Sequence, residues 1–298
     1  MNIFLENVDL KSNSGPNYFG QKLLKYMELR GATFDERLPY NLKLTFIESF
    51  GFKKHLPMFL RLDGIYFRSK FDCNKMNYNI KKTYEKAKGV IFQTKFNKNL
   101  IFKWFGEHPN YKIISNGSDL LLIESIDSIK PEQFKKFNKI WSCASNWHKF
   151  KRLEDNINYF LNFASKKDCL IVAGPSPDYI IKHPRIFYVG NLDIKQLFGV
   201  YKISDYFIHL ASLDHCPNVV IDARTCGCKI ICSSSGGTKE VAGPGAIVIE
   251  EEEWDYNLIQ EPQPPELDFS RYYVNEEKSN ISMAATAKKY LNFFKEKG

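Results

Sequence analysis

Two aspartates with seven residues between them, Asp214 and Asp222, bracket the tripeptide Cys216-Pro217-Asn218. Carboxylates so placed can accept hydrogen bonds from sugar and ribose hydroxyls, and a charged acceptor holds a hydroxyl more strongly than a neutral one. The apolar-rich run Val219 to Cys226 continues to Gly227, which predicts a short helix with a glycine stop. The opening of that helix at Asn218 presents backbone N–H groups and the positive end of its dipole, a ready anion site. Upstream, Lys149, Lys151 and Arg152 precede an amphipathic stretch. Cations at a helix start oppose its dipole, so three of them together suit a bound phosphate. The N-terminal half holds a second set: Gly15-Pro16-Asn17, Arg61 with Asp63, and Asn116. Gly15 would let the backbone come close to a ligand. Arg61 and Asp63, two residues apart, suit pairing with each other.

These residues need a scaffold, and the sequence supplies alternating apolar runs and amphipathic stretches, the pattern of βα units and parallel sheets. Strands are expected at Asn2–Leu5, Leu56–Leu62, Gly89–Gln93 and Tyr111–Ser115, with helices at Tyr18–Arg30, Tyr78–Ala87 and Lys95–Phe105. A second series runs through strands at Lys139–Cys143, Cys169–Ala173, Arg185–Val189 and Tyr206–Leu210, with helices at Lys149–Lys166 and Ile194–Ile203. Glu250–Glu253 and the Pro-rich Glu261–Pro265 read as solvated loop and linker. Ala284, Ala287, Tyr290, Leu291 and Phe294 recur at three and four within Ile281–Lys297, a closing amphipathic helix.

The segment DHCPNVVIDARTCGCKII resembles the acidic-x7-acidic segment of retaining GT-B glycosyltransferases, in particular glycosyltransferase family 4 (glycosyl transferases group 1). The usual family form has Glu at both ends, where this chain has Asp. The family's following strand and GGxxE turn are matched by Gly236-Gly237-Thr238-Lys239-Glu240. CASNWHKFKRLEDN resembles the strand-loop-helix whose Arg and Lys clamp the donor pyrophosphate. Ser145 or Asn146 stands at the first basic position, Lys151 at the second and Arg152 beside it. Ser12–Asn17 resembles the family's glycine-bearing first loop, Arg61–Ile65 its R-x-D-G-I stretch, and Ile114–Asp119 its I-x-N-G-x-D loop.

The resemblance implies an α/β fold of the GT-B type, two Rossmann-like domains with parallel sheets facing across a cleft. Residues 1–135 would bind acceptor, 136–270 would bind a nucleotide sugar, and a C-terminal helix within 271–298 would cross back to the first domain. It implies transfer of a sugar from a nucleoside-diphosphate sugar to a glycan or other hydroxyl acceptor with retention of configuration, the departing phosphate helping to deprotonate the acceptor. No metal or other cofactor is expected. Asp214 and Asp63 would be catalytic. Lys149, Lys151, Arg152, Cys216, Pro217, Asn218, Val219 and Asp222 would bind donor, with Asp222 on the ribose. Gly15, Pro16, Asn17, Arg61 and Asn116 would line the acceptor side. His55 and His108 match no family position and are expected at the surface. The alternative is a catalytically weak or inactive GT-B relative serving as a nucleotide- or glycan-binding module.

Composition agrees with a folded enzyme-sized chain: 44% hydrophobic and 15% aromatic residues in 298 positions suit two domains with their own cores. Met1 to Leu5 is followed at once by Glu6 and Asp9, and no apolar run approaches a membrane span, so a cytoplasmic address is expected. Seven cysteines without framework spacing read as free thiols. Zinc at Cys216, Cys226, Cys228 and Cys232 is disfavoured because Cys226 and Cys228 have one residue between them. Residues 1–140 carry 24 Lys+Arg against 14 Asp+Glu, a net +10, whereas 141–298 carry 18 against 20, a net −2. A basic first domain fits an anionic glycan or peripheral contact with an anionic membrane surface. Nucleic acid is not expected, because none of its binding motifs occurs.

Overall fold

The computed structural model describes residues 1–12, 14–51, 56–177, 180–260 and 262–297. His55, Asn13 of the first loop and Glu261 of the linker lie outside the described residues. The chain divides into two compact units, one of residues 1–117, 254–261 and 282–298, the other of residues 118–253 and 262–281. The division falls at Gly117, ahead of the expected boundary at 135, because Leu120–Phe134 packs with the second set of strands: Ile123 and Phe134 are buried in its cores.

The first unit runs β1 (Ile3–Glu6), α1 (Gly15–Glu28), β2 (Leu42–Phe46), β3 (Met58–Arg61), α2 (Cys73–Lys86), β4 (Gly89–Phe92), α3 (Lys95–Phe105) and β5 (Tyr111–Ile113). Its sheet has the order β1-β2-β3-β4-β5, parallel throughout. β2 is a strand the sequence reading did not place. Lys43 and Thr45 interrupt its apolar pattern, yet every residue is buried, because both polar tips meet Glu6 and Lys43 also donates to Ser49. α2 and α3 start where Asp72 and Thr94 accept from the third backbone N–H beyond.

The second unit contains α4 (Leu120–Glu124), α5 (Glu132–Lys135), β6 (Ile140–Ala144), α6 (Leu153–Phe163), β7 (Cys169–Ala173), β8 (Ile186–Gly190), α7 (Ile194–Ile203), β9 (Tyr206–His209), α8 (Asn218–Thr225), β10 (Lys229–Ser233), α9 (Thr238–Ala242), β11 (Ile247–Ile249) and β12 (Tyr272–Val274). Strand order is β12-β11-β10-β9-β6-β7-β8, parallel except for β12 against β11. The chain winds from β6 through β7 to β8, then returns to lay β9 on the other side of β6. That reversal is where an open α/β sheet leaves a crevice beyond its strand ends. β6 and β7 are buried along their whole length, as parallel strands covered on both faces must be.

The last helix, α10 (Met283–Lys297), belongs to the first unit. Its Met283, Ala287, Tyr290 and Phe294 face inward, where Tyr290 lies 6.2 Å from the Phe19 ring and Phe294 4.7 Å from Phe59. The acidic stretch is not all solvated. Glu251 is a buried ion-pair partner, and Trp254, just beyond it, packs on Phe67 and Phe96 of the first unit.

Candidate functional site

The reversal of the second sheet gathers the chemistry. β6 ends at Ala144 and is followed by a 3-10 turn, Lys149–Lys151, while β9 ends at His209 and is followed by the loop holding Asp214. Lys151 Nζ lies 2.5 Å from Asp214 Oδ2, and His209 Nε2 lies 3.0 Å from the same oxygen. Burial works against ionisation of Asp214, but Lys151 and His209 outweigh it and hold the carboxyl well below the usual range. For His209, burial outweighs the bond to Asp214, so the imidazole sits below its ordinary value.

The loop owes its shape to its neighbours. Leu213 has φ 54° and Gly236 φ 83°. Gly236 pairs with Asp214 as a parallel bridge, and Gly237 N–H donates to Asp214 O at 2.7 Å. A Cβ on Gly236 would lie 2.6 Å from that oxygen, so only glycine permits the approach. The Gly-Gly turn thus fixes the backbone that carries Asp214. Pro217 is the N-cap of α8 and places no side-chain acceptor there. Cys216 and Pro217 are buried and Asn218 and Val219 half-buried, so this helix start lies next to Asp214 in the chain and partly open. Asp222 is 2% exposed and accepts from Ser118 Oγ at 2.5 Å.

The basic cluster divides. Lys149 is exposed and Lys151 reaches Asp214. Arg152 has φ 51°, which turns its side chain into the core. There it forms a bidentate pair with Glu251 at 2.8 and 2.7 Å and donates to Leu210 O and Pro265 O. Glu251 also accepts from Ser233 Oγ. Its guanidinium thus braces the loop after β9. The helix expected from Lys149 begins instead at Leu153, with Glu154 and Asp155 in a first turn that suits its dipole.

In the first unit, Arg61 at the end of β3 is 1% exposed. Its guanidinium lies 3.9 Å from the Phe19 ring centroid and 4.9 Å from that of Phe46. It donates to Asp63 Oδ1 and to Asn116 Oδ1, the latter at 3.0 Å, and Gln93 Nε2 donates to Asp63 Oδ1 at 2.6 Å. Arg61 and the buried Asn116 thus form an internal brace within the first unit. Asp63 keeps 15% of its side chain exposed. Gly15 and Pro16 open α1, whose N-cap Ser14 makes no side-chain cap bond, and Asn17 Oδ1 accepts from Asp9 N–H. His108 is buried against Ala87 O and Asn110 O, not at the surface.

His209, Ser118, Gln93 and Glu251 had no assigned role in the sequence reading. A histidine closing an apolar strand was a signal for the first and the Ile114–Asp119 loop for Ser118; Gln93 and Glu251 have none in sequence. Among the described residues no group of three or more His, Cys, Asp or Glu side chains stands where it could hold a metal ion. Among them, too, no helix is long and apolar enough to cross a membrane.

Residues 181–256, which include β9, the Asp214 loop and α8, match the family described as glycosyl transferases group 1. An uncharacterized glycosyltransferase of Methanocaldococcus jannaschii is 28% identical over 192 residues, 58% of this chain and 48% of that protein, so the chain spans about half the length of this curated relative. Sucrose-phosphate synthase of Thermosynechococcus elongatus aligns with TM-score 0.65 at 13% identity, over 85% of this chain and 86% of the other. Anabaena HepE in complex with UDP-glucose aligns with TM-score 0.63 at 14% identity, over 85% and 86%. WaaG, a glycosyltransferase involved in lipopolysaccharide biosynthesis, aligns with TM-score 0.60 at 10% identity, over 85% and 87%. At these identities the structures establish the fold, which is GT-B.

Proposed function

We propose that this GT-B chain, with a glycosyl transferases group 1 segment in its second unit, is a glycosyltransferase that moves a sugar from a nucleoside-diphosphate sugar to a glycan or other hydroxyl acceptor. The observation that carries the reading is the meeting of Lys151 and Asp214 at the reversal point of the second sheet, beside the opening of α8. In this proposal Lys151 and the α8 N-terminus neutralise the diphosphate. Lys149 adds charge nearby, Asp214 accepts from hydroxyls of the transferred sugar, and Asp222, oriented by Ser118, takes the ribose hydroxyls. Transfer proceeds with retention, the departing phosphate oxygen taking the acceptor proton on the face it leaves. No protein nucleophile and no metal is needed. Asp63 in the first unit orients an acceptor hydroxyl.

The complexes of HepE with UDP-glucose and with UDP support trying uridine donors first. The acceptor is proposed to be an anionic or membrane-borne glycan, because the excess positive charge lies in residues 1–140. Exposed Phe50, Phe71 and Tyr78, with exposed Lys75, Lys81 and Lys82, support peripheral contact with an anionic bilayer. The test is a thermal-shift and calorimetry panel of nucleoside diphosphates and their sugars, followed by donor hydrolysis. Saturable binding with turnover supports the transferase. Binding with no hydrolysis or transfer across the panel favours a binding module, and no binding at all removes both.

A further inference from the structure

His209 occupies the last position of β9, opposite Cys232 of β10, in a strand that otherwise reads Tyr-Phe-Ile. It is 3% exposed and its ring lies parallel to Phe207, with centroids 6.3 Å apart and an interplanar angle of 12°. An imidazole in such a place loses its water and is destabilising unless its polar edge finds a partner. Its partner is the Asp214 carboxylate, five residues on, and the contact is to Oδ2 at 3.0 Å. Lys151 uses that same oxygen. Both contacts fall on Oδ2, so among the described residues Oδ1 has no hydrogen-bond partner, on a carboxylate whose side chain is 15% exposed.

The two donors differ in kind. Lys151 is a cation on a long rotatable stem at a 3-10 turn, 24% exposed at its side chain. His209 is fixed by a buried strand. We propose that His209 is the positioning residue for Asp214: it donates Nε2–H to Oδ2 and keeps Oδ1 aimed at the substrate when a donor phosphate draws Lys151 away. The rest of the strand supports the assignment, because an aliphatic residue would fill the same core position without reaching Asp214. This inference rests on the donor-site reading, and its test has one arm that does not.

The first arm is a histidine-selective long-range proton–nitrogen spectrum of the full chain without nucleotide. The expected result is a single His209 tautomer, protonated at Nε2, retained in Lys151→Met and lost in Asp214→Ala. A proton on Nδ1, or indifference to Asp214→Ala, overturns the proposal whatever the enzyme does. The second arm measures UDP affinity and UDP-glucose hydrolysis. His209→Leu should lower kcat about 10–100-fold while KM and UDP affinity stay within about twofold, and His209→Gln, which keeps a side-chain N–H, should recover about tenfold of the loss. Equal loss in both variants, or loss in KM alone, shows that His209 only fills space and overturns the proposal. If the wild-type chain neither binds UDP nor hydrolyses UDP-glucose, the uridine-donor reading fails and the spectral arm alone decides.

Discussion

Asp214 is charged at neutral pH because two neighbours hold it so, and that sets what each substitution should do. Lys151→Met removes a charged donor to a diphosphate and should weaken nucleoside-diphosphate binding by about 1.5–3 kcal/mol, read by calorimetry. Asp214→Ala should lower turnover more than nucleotide affinity, and Asp222→Ala the reverse. A pH effect follows from His209. Its folded-state value lies below the ordinary one near 6.5. The unfolded chain therefore takes up a proton that the folded chain refuses, and stability is full above about 6.5 and falls as pH drops below it. The slope is at most about 1.4 kcal/mol per pH unit for this group. Asp214 adds a second loss only in strong acid, since its depressed value keeps its contribution intact above the usual carboxylate range. Urea unfolding at pH 7.5 and 5.5 should show the wild type losing more stability than His209→Leu. An equal loss in both would mean that the imidazole titrates normally.

At the scale of elements, two turns decide which side chains face the reversal point. The left-handed turn at Arg152 sends its guanidinium to Glu251 while Lys151 faces Asp214. Arg152→Met leaves the Glu251 charge buried and should cost about 3–5 kcal/mol of stability in denaturant unfolding. Gly236→Ala places a Cβ 2.6 Å from Asp214 O at a positive φ. It should lower turnover by displacing that loop, and a variant with unchanged kinetics would show that the Gly-Gly turn does not hold Asp214. The order of the motifs was legible in sequence, because Asp214, the helix start and the Gly-Gly turn follow one another along the chain. The directions were not. Lys151 and Arg152 are adjacent and equally basic, and a single backbone dihedral separates their fates. β2 escaped the apolar pattern for a related reason: Lys43 is buried by a partner, Glu6, that lies on another strand.

For the whole molecule, the sheet order of the second unit is what turns scattered residues into a site. Periodicity gave β6 to β9 of that unit and missed the short β11 and β12, while the return of the chain across β6 is a long-range choice that local pattern does not encode. The charge excess of residues 1–140 belongs to this scale as well. The chain should sediment with phosphatidylglycerol vesicles and not with phosphatidylcholine ones, less so as salt rises, and Lys75→Glu with Tyr78→Ser should release it. Retention of that double variant on the vesicles would rule this face out. The most direct measurement of the central claim is calorimetric titration of the wild-type chain and Lys151→Met with UDP, GDP and ADP. The account predicts that at least one diphosphate binds the wild type at a single site and binds Lys151→Met at least tenfold more weakly. Equal affinity in the two proteins, or no binding by the wild type, would contradict it.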